Sequence, residues 1–203
     1  MREYLMEALG TFFVVLAFGI SGEPFSIGLV YAGVIYIGAH ISGAHYNPAI
    51  TLSFYLIKKI ELKKALAYVV SQVTGAFLAS IMLLLFSNLV YYVEAPTNTY
   101  LYQQISSELL FTFLLVLVVI TVSSSKALSG NNMYGFIIGL TLTGITFLGL
   151  PISGAIYNPA VSIGTAAFDL IFGGLSVFYV PLYTLAPLAG AALAAFVYRY
   201  LNY

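Results

Sequence analysis

The sequence predicts an all-α membrane protein: six transmembrane helices plus two re-entrant half-helices, arranged as an inverted repeat. Three observations carry this reading. The 203 residues are 61% hydrophobic and only 7% charged, which excludes an ordinary soluble domain and fits a chain that crosses a bilayer several times. The phrase Ser42-Gly43-Ala44-His45-Tyr46-Asn47-Pro48-Ala49 returns as Ser153-Gly154-Ala155-Ile156-Tyr157-Asn158-Pro159-Ala160, with seven of eight positions identical. Each copy opens an apolar run that stops early, at Lys58-Lys59 and at Asp169. Such a run reaches roughly 16 Å, about half of a hydrocarbon core.

The elements follow in order. Arg2, Glu3 and Glu7 lead into an apolar run with no small-x-small cleavage site, so 4–20 reads as a retained first span and not a signal. Ser21-Gly22-Glu23-Pro24 breaks it, and the second span covers 25–39. Asn47 then opens the first half-helix: Asn caps free backbone N–H groups, and Pro suits the first helical position. A charged turn at 58–64 precedes the third span, 66–90. Residues 91–104 hold Glu94, Pro96 and Asn98 and read as an exposed loop. The fourth span is 106–122, a polar link covers 123–132, and the fifth span is 133–150. Asn158 opens the second half-helix, and 175–200 is the sixth span.

Charge sidedness supports this count. With six spans and both half-helices returning to the side they left, Arg2, Lys58, Lys59, Lys63, Lys64, Lys126 and Arg199 all fall on one side. Glu23, Glu94 and Asp169 fall on the other. Basic residues favour the cytoplasm, so both termini are expected there, in a multi-pass protein of the cell membrane. Glu7-Ala8-Leu9-Gly10-Thr11-Phe12 also echoes Glu108-Leu109-Leu110-Phe111-Thr112-Phe113. The chain reads as one domain, 1–203, with halves of about 1–95 and 104–203. An odd number of spans per half sets the two halves in opposite orientations.

Two half-helix N-termini meeting at the midplane create a positive region that repels cations and protons. Asn47 and Asn158 can each aim an N–H into the gap. The non-helical stretches Gly43, Ala44, His45 and Gly154, Ala155, Ile156 can expose backbone carbonyls, a row of acceptors suited to water or hydroxylated solutes. Irregular backbone at this depth is tolerated where it is buried in protein or lines a watery cavity. Glu7 and Glu108 lie inside spans, where a carboxylate is costly. Their symmetrical placement favours a structural role, accepting hydrogen bonds from the half-helix loops, over a proton or cation relay.

Other residue types carry less. There is no Cys, which removes disulfides and thiol chemistry. His40 and His45 have no second ligand at useful spacing, so no metal site is expected; both read as packed or hydrogen-bonded, with a pH sensor as the alternative. Gly10, Gly28, Gly33, Gly38, Gly75, Gly135, Gly139, Gly144 and Gly190 read as close-packing points between helices. No catalytic set, metal cluster or phosphate loop emerges, so neither an enzyme nor a cofactor is implied. Zero net charge gives no sign of a nucleic-acid partner.

The chain resembles the aquaporin family, the major intrinsic proteins, over nearly its whole length. The resemblance rests on the paired Glu-x-x-x-Thr-Phe, the run from His40 to Leu52, the second Asn-Pro-Ala, and Pro187-Leu188-Ala189-Gly190-Ala191. It implies one pore per subunit, usually a homotetramer, with Asn47, Pro48, Ala49, Asn158, Pro159 and Ala160 as the central motifs. The family usually carries Arg after the second motif; here Val161 stands there. The remaining filter positions it implies are Ile27, Thr146 and Ala155, giving an apolar, uncharged and wide filter. Ser162, Ala166 and Tyr183 match the water-channel pattern, whereas Thr184 replaces a usual aromatic. The expected function is a passive channel for water and other small uncharged solutes. The alternatives are a channel mainly for glycerol, urea or dissolved gases, an ion or proton-coupled transporter using Glu7 and Glu108, and a structural protein with an occluded pore.

Overall fold

The structure, a computed structural model, describes residues 1–128 and 130–202, with Lys126 described by its backbone alone. Ser129 of the expected polar link, Tyr203 and the Lys126 side chain lie outside the described residues. Among the described residues eight α-helices follow in order: α1 (Arg2–Ile20), α2 (Pro24–Ser42), α3 (Pro48–Leu56), α4 (Leu62–Ser87), α5 (Leu101–Ser124), α6 (Tyr134–Ser153), α7 (Pro159–Ile171) and α8 (Val180–Asn202). A 3-10 turn at Ser176–Tyr179 leads into α8. Six segments among the described residues are long and apolar enough to span a membrane: α1, α2, α4, α5, α6, and the run from Ser176 to Asn202. The short helices α3 and α7 are the two half-helices.

Helix ends follow local chemistry. Gly22 takes φ +63 between α1 and α2, and Pro24 starts α2 at its first position. Gly43 and Gly154 end α2 and α6 in the left-handed region, φ +89 and +85, where a residue without Cβ is favoured. Both helices run three residues past their expected ends at 39 and 150, and α6 carries Pro151 inside it. Hydropathy fades at His40–Ser42, but the helix persists until the glycine turns the chain. The α5 helix starts at Leu101 and not 106, because the Tyr100 N–H donates to Gln103 Oε1 at 2.8 Å and the Gln103 N–H donates to the Tyr100 carbonyl at 2.9 Å. The loop before it is only partly exposed. Val93 and Ala95 are buried, and Gln104, expected in the loop, lies in α5 and donates back to the Pro96 carbonyl at 3.0 Å.

Packing places α1 against α4 and α2, α5 against α8 and α6, and α2 against α6. The tightest crossings recur between halves. A Cβ on Gly75 would strike the Ala8 carbonyl oxygen, and one on Gly190 would strike the Leu109 carbonyl oxygen. Gly28 and Gly139 bring α2 and α6 backbone to backbone. Small residues permit such approach where lipid supplies no hydrophobic drive between helices. Two of the expected close-packing points behave otherwise: Gly33 and Gly144 have open space around them.

Four of the basic residues have described surroundings that bear on their role. Lys64 forms an ion pair with Glu3, and Tyr68 Oη lies 3.0 Å from Glu3 Oε2. Arg199 shares a cleft with Lys58 and Lys59.

Candidate functional site

The two repeated phrases fold into the same backbone. Gly43, Ala44 and Tyr46 are left-handed, at φ +89, +54 and +52; Gly154, Ala155 and Tyr157 match at +85, +56 and +53. Each non-glycine residue there costs on the order of 1–2 kcal/mol. Something must hold these loops, and in each half it is a buried glutamate from the first helix of that half. Glu7 Oε1 accepts from Ser42 Oγ at 2.6 Å and His45 N at 3.0 Å; Oε2 accepts from Tyr46 N at 2.7 Å and Gln72 Nε2 at 2.7 Å. Glu108 Oε1 accepts from Ser153 Oγ at 2.7 Å and Ile156 N at 3.0 Å; Oε2 accepts from Tyr157 N at 2.8 Å.

That arrangement directs the carbonyls. In a trans peptide, N–H and C=O point in opposite directions. With the N–H groups of His45 and Tyr46 turned to Glu7, the carbonyls of Ala44 and His45 point away from it. By the same geometry, the carbonyls of Ala155 and Ile156 point away from Glu108. The Ala44 and Ala155 N–H groups turn to Ser42 and Ser153 Oγ, at 3.1 and 3.3 Å, which sends the Gly43 and Gly154 carbonyls the other way. Two tyrosines brace each loop. Tyr46 Oη donates to the Val34 carbonyl and Tyr157 Oη to the Ile145 carbonyl, at 2.9 and 3.0 Å. Tyr68 donates to the Ser42 carbonyl and Tyr183 to the Ser153 carbonyl.

Asn47 and Asn158 meet across the centre. Asn47 Oδ1 accepts from Ala49 N at 2.8 Å, and Asn158 Oδ1 accepts from Ala160 N at 3.0 Å, which are the expected caps. Their amide nitrogens are not simply free in a gap. Asn47 Nδ2 donates to the Tyr157 carbonyl and Asn158 Nδ2 to the Tyr46 carbonyl, each at 2.9 Å. Each amide N–H2 has two hydrogens, so one ties the halves together and one remains.

A cavity of about 10 Å³ sits here, bordered by Asn47, Asn158, Ile156, Tyr31 and Leu142 among others, close to the minimum that holds a single water. A larger vestibule of about 740 Å³ opens beside the link between α5 and α6 and touches Gly43, Ala44 and Tyr31. Tyr31 is the residue these two cavities share. It is buried, and its hydroxyl donates to the His45 carbonyl at 3.2 Å, so one of the expected lining acceptors is already engaged.

The four positions that the resemblance implies for the filter are all buried: Ile27 is 1% exposed and Thr146, Ala155 and Val161 are 0% exposed. Ile27, Ala155 and Val161 are part of one buried apolar cluster. Thr146 Oγ1 donates to the Leu142 carbonyl at 2.7 Å, which spends its hydroxyl hydrogen on its own helix. His45 is buried, stacks on Phe54 and meets Thr51 Oγ1 through Nδ1 at 3.1 Å, so it is the packed and hydrogen-bonded histidine of the first reading. Pro48, Ala49, Pro159 and Ala160 form the first turns of α3 and α7.

Sequence reasoning missed Tyr31 and Gln72. Gln72 is a lone amide within an apolar span and reaches both Glu7 and Thr51 Oγ1, the latter at 2.9 Å; its isolation was a usable signal. Tyr31 is one of 17 tyrosines, and nothing in its local sequence sets it apart from those that pack or sit at interfaces.

The fold and this doubled centre define a polytopic membrane channel architecture, and comparison with known proteins gives its family. Residues 18–198 match the family described as Major intrinsic protein. The chain is 34% identical to Glycerol uptake facilitator protein-like 6 of Lactiplantibacillus plantarum, across 98% of this chain and 97% of that protein. It is 34% identical to Aquaporin AqpM of Methanothermobacter marburgensis, across 89% and 78%. The crystal structure of the aquaglyceroporin from Plasmodium falciparum superposes with a TM-score of 0.85, covering 97% of this chain and 94% of that one at 24% identity, a likeness of fold. The chain belongs to the major intrinsic protein family. It is therefore a membrane channel and not an enzyme.

Proposed function

We propose that this protein is a passive channel of the cell membrane for water and other small uncharged solutes, with the path running between Asn47 and Asn158. The observation that carries the reading is the centre itself: two helix N-termini, two amides each with a hydrogen to spare, and a water-sized cavity between them. Gly43, Ala44, His45, Gly154, Ala155 and Ile156 supply carbonyl acceptors along the path. Converging positive helix ends disfavour cations and protons. Glu7 and Glu108 act as loop supports: every hydrogen bond they accept comes from a loop or a packing helix. That speaks against an ion or proton-coupled cycle through them.

The names of the two relatives, a glycerol facilitator-like protein and an aquaporin, bracket the solute class. A second reading, toward glycerol, urea or dissolved gases, is favoured by one observation. Ile27, Ala155 and Val161 are apolar and Thr146 has turned its hydroxyl inward, so the filter lacks a fixed cationic donor. In this reading the chain is one domain of inverted halves, 1–95 and 104–203, with both termini cytoplasmic and a homotetrameric assembly.

The test is stopped-flow light scattering on proteoliposomes with water, glycerol and urea, comparing the parent with Val161→Arg. The parent is expected to pass water and at least one of the larger solutes, and V161R to suppress the larger solutes while keeping water. Permeability no higher than in empty liposomes, with folded protein incorporated, overturns the channel assignment of this path. A parent that passes water alone rejects Val161 as the position that sets breadth.

A further inference from the structure

We propose that the cleft between the end of α3 and the last turns of α8 holds one anionic phospholipid from the leaflet at the basic end of the protein. Its phosphate would sit on Lys58, Lys59 and Arg199, and an acyl chain would lie on the apolar wall beneath. This site stands apart from the solute path and does not rest on the function proposed above.

The cleft has a volume of about 920 Å³. Its α8 wall is built from Ala192, Ala195, Phe196 and Arg199, a spacing that sets them on one helical face. From Ala192 to Arg199 the wall extends about 10 Å along the helix, so the cleft has a charged rim and an apolar depth. Two alanines hollow the wall, and Phe196, 68% exposed, stands at its side. Tyr200 borders the same rim, in the amphipathic role tyrosines take at the headgroup level.

The opposite wall is a fixed turn. Lys58 adopts φ +61, with its N–H bonded to the Tyr55 carbonyl at 3.0 Å and the Lys59 N–H to the Phe54 carbonyl at 2.8 Å. The two lysines are thus presented by ordered backbone. No carboxylate lines the cleft. Among the described residues the one ion pair is Lys64 with Glu3, so no described carboxylate neutralises these three cations. Like charges gathered over an apolar groove at a membrane face call for an anion carrying a hydrocarbon tail, and basic pockets between membrane helices take such headgroups.

The matching end of the other half-helix offers nothing similar. There Asp169 Oδ2 accepts from Ser176 N at 3.1 Å and Ser176 Oγ at 2.6 Å, and an acidic side chain takes the place of the lysines. The site therefore belongs to one face only.

Native mass spectrometry of the full chain in a neutral detergent tests this, using phosphatidylglycerol, phosphatidylcholine of the same chain length, and glycerol phosphate as probes. One phosphatidylglycerol per chain is expected to bind at least about tenfold tighter than phosphatidylcholine, since each basic residue near the surface contributes roughly fivefold. K58Q/R199Q should lose that preference, while R2Q/K63Q, with the same charge removed at the same end but outside the cleft, should keep it. Ala192→Phe retains every cation but fills the groove, and it should weaken the lipid while leaving glycerol phosphate unchanged; it also serves if the double variant does not fold. Equal loss in R2Q/K63Q would reduce the effect to diffuse surface charge and overturn the site. So would glycerol phosphate competing as well as the lipid with A192F inert, which describes an anion site without a lipid.

Discussion

The two re-entrant segments share a backbone and differ in what surrounds it. Three left-handed residues, a glutamate, two bracing tyrosines and an asparagine cap occur in each, with bond lengths that agree within a few tenths of an ångström. Around the first loop stand His45, Gln72 and Tyr31. The equivalent places around the second are Ile156, Pro187 and Leu142. At these three places the first loop therefore meets a polar or aromatic group and the second an aliphatic one, while Ser107 Oγ, 3.1 Å from Ser153 Oγ, is a polar contact of the second loop alone. The half-helices differ as well, nine residues in α3 against thirteen in α7. What is common to both is what places the asparagines; what differs is what decides how firmly each loop is held and how wide the path is beside it.

The largest expected effect tests the holding. Replacing either glutamate by glutamine turns one acceptor oxygen into an N–H2 that faces existing donors. Glu7 receives four such bonds and Glu108 three. A buried donor left unsatisfied costs about 1–3 kcal/mol. Glu7→Gln and Glu108→Gln should both lower the unfolding free energy in detergent, read by denaturant titration, and Glu7→Gln should lower it more, by about 1 kcal/mol. An equal loss, or a larger one from Glu108→Gln, would break the claim that the first loop is the more firmly tied.

Much of this centre was legible before any coordinates. A phrase written twice can be read without knowing the fold, and each asparagine cap follows from residues two apart. The paired glutamates sat at matching places in the first span of each half. What could not be read joins distant parts of the chain. The bonds from Asn47 and Asn158 to opposite carbonyls cross 110 and 112 residues, and no local pattern foretells them. The early start of α5 depended on Gln103 reaching back to the N–H of a tyrosine at the cap position, outside the usual Ser, Thr, Asp and Asn. The filter width was inferred from the absence of one arginine, whereas the burial of Ile27, Thr146, Ala155 and Val161 is set by packing between helices that the local sequence does not display.

Tyr31 sharpens the comparison on the side of the path. It borders both the vestibule and the central cavity, whereas Leu142, its counterpart, borders the central cavity. Tyr31→Leu makes the two halves alike there and frees the His45 carbonyl. Water permeability in proteoliposomes should rise roughly threefold or more, because both the obstruction and the engaged acceptor are removed. Leu142→Tyr should reduce it. Tyr31→Phe, which frees the carbonyl but keeps the ring, should give a smaller rise than Tyr31→Leu. No change in Tyr31→Leu would place the limiting constriction elsewhere, with Ile27 and Val161 next in line.

The smallest effect concerns Gln72, whose position corresponds to Pro187 in the other half. Its amide nitrogen serves Glu7 and Thr51, but its Oε1 finds no partner among the described residues. Gln72→Met therefore removes two good bonds and one buried orphan together, and these terms oppose one another. Polar side-chain bonds between membrane helices average about 0.6 kcal/mol in double-mutant cycles, so a net loss below about 1 kcal/mol is expected. The more telling result is the cycle. With Gln72 gone, Glu7 keeps three donors, as Glu108 does, and Glu7→Gln in the Gln72→Met background should cost the same as Glu108→Gln in the parent. If Glu7→Gln remains the more damaging change, the difference between the halves lies not in the count of donors but in His45 and its contacts with Thr51 and Phe54.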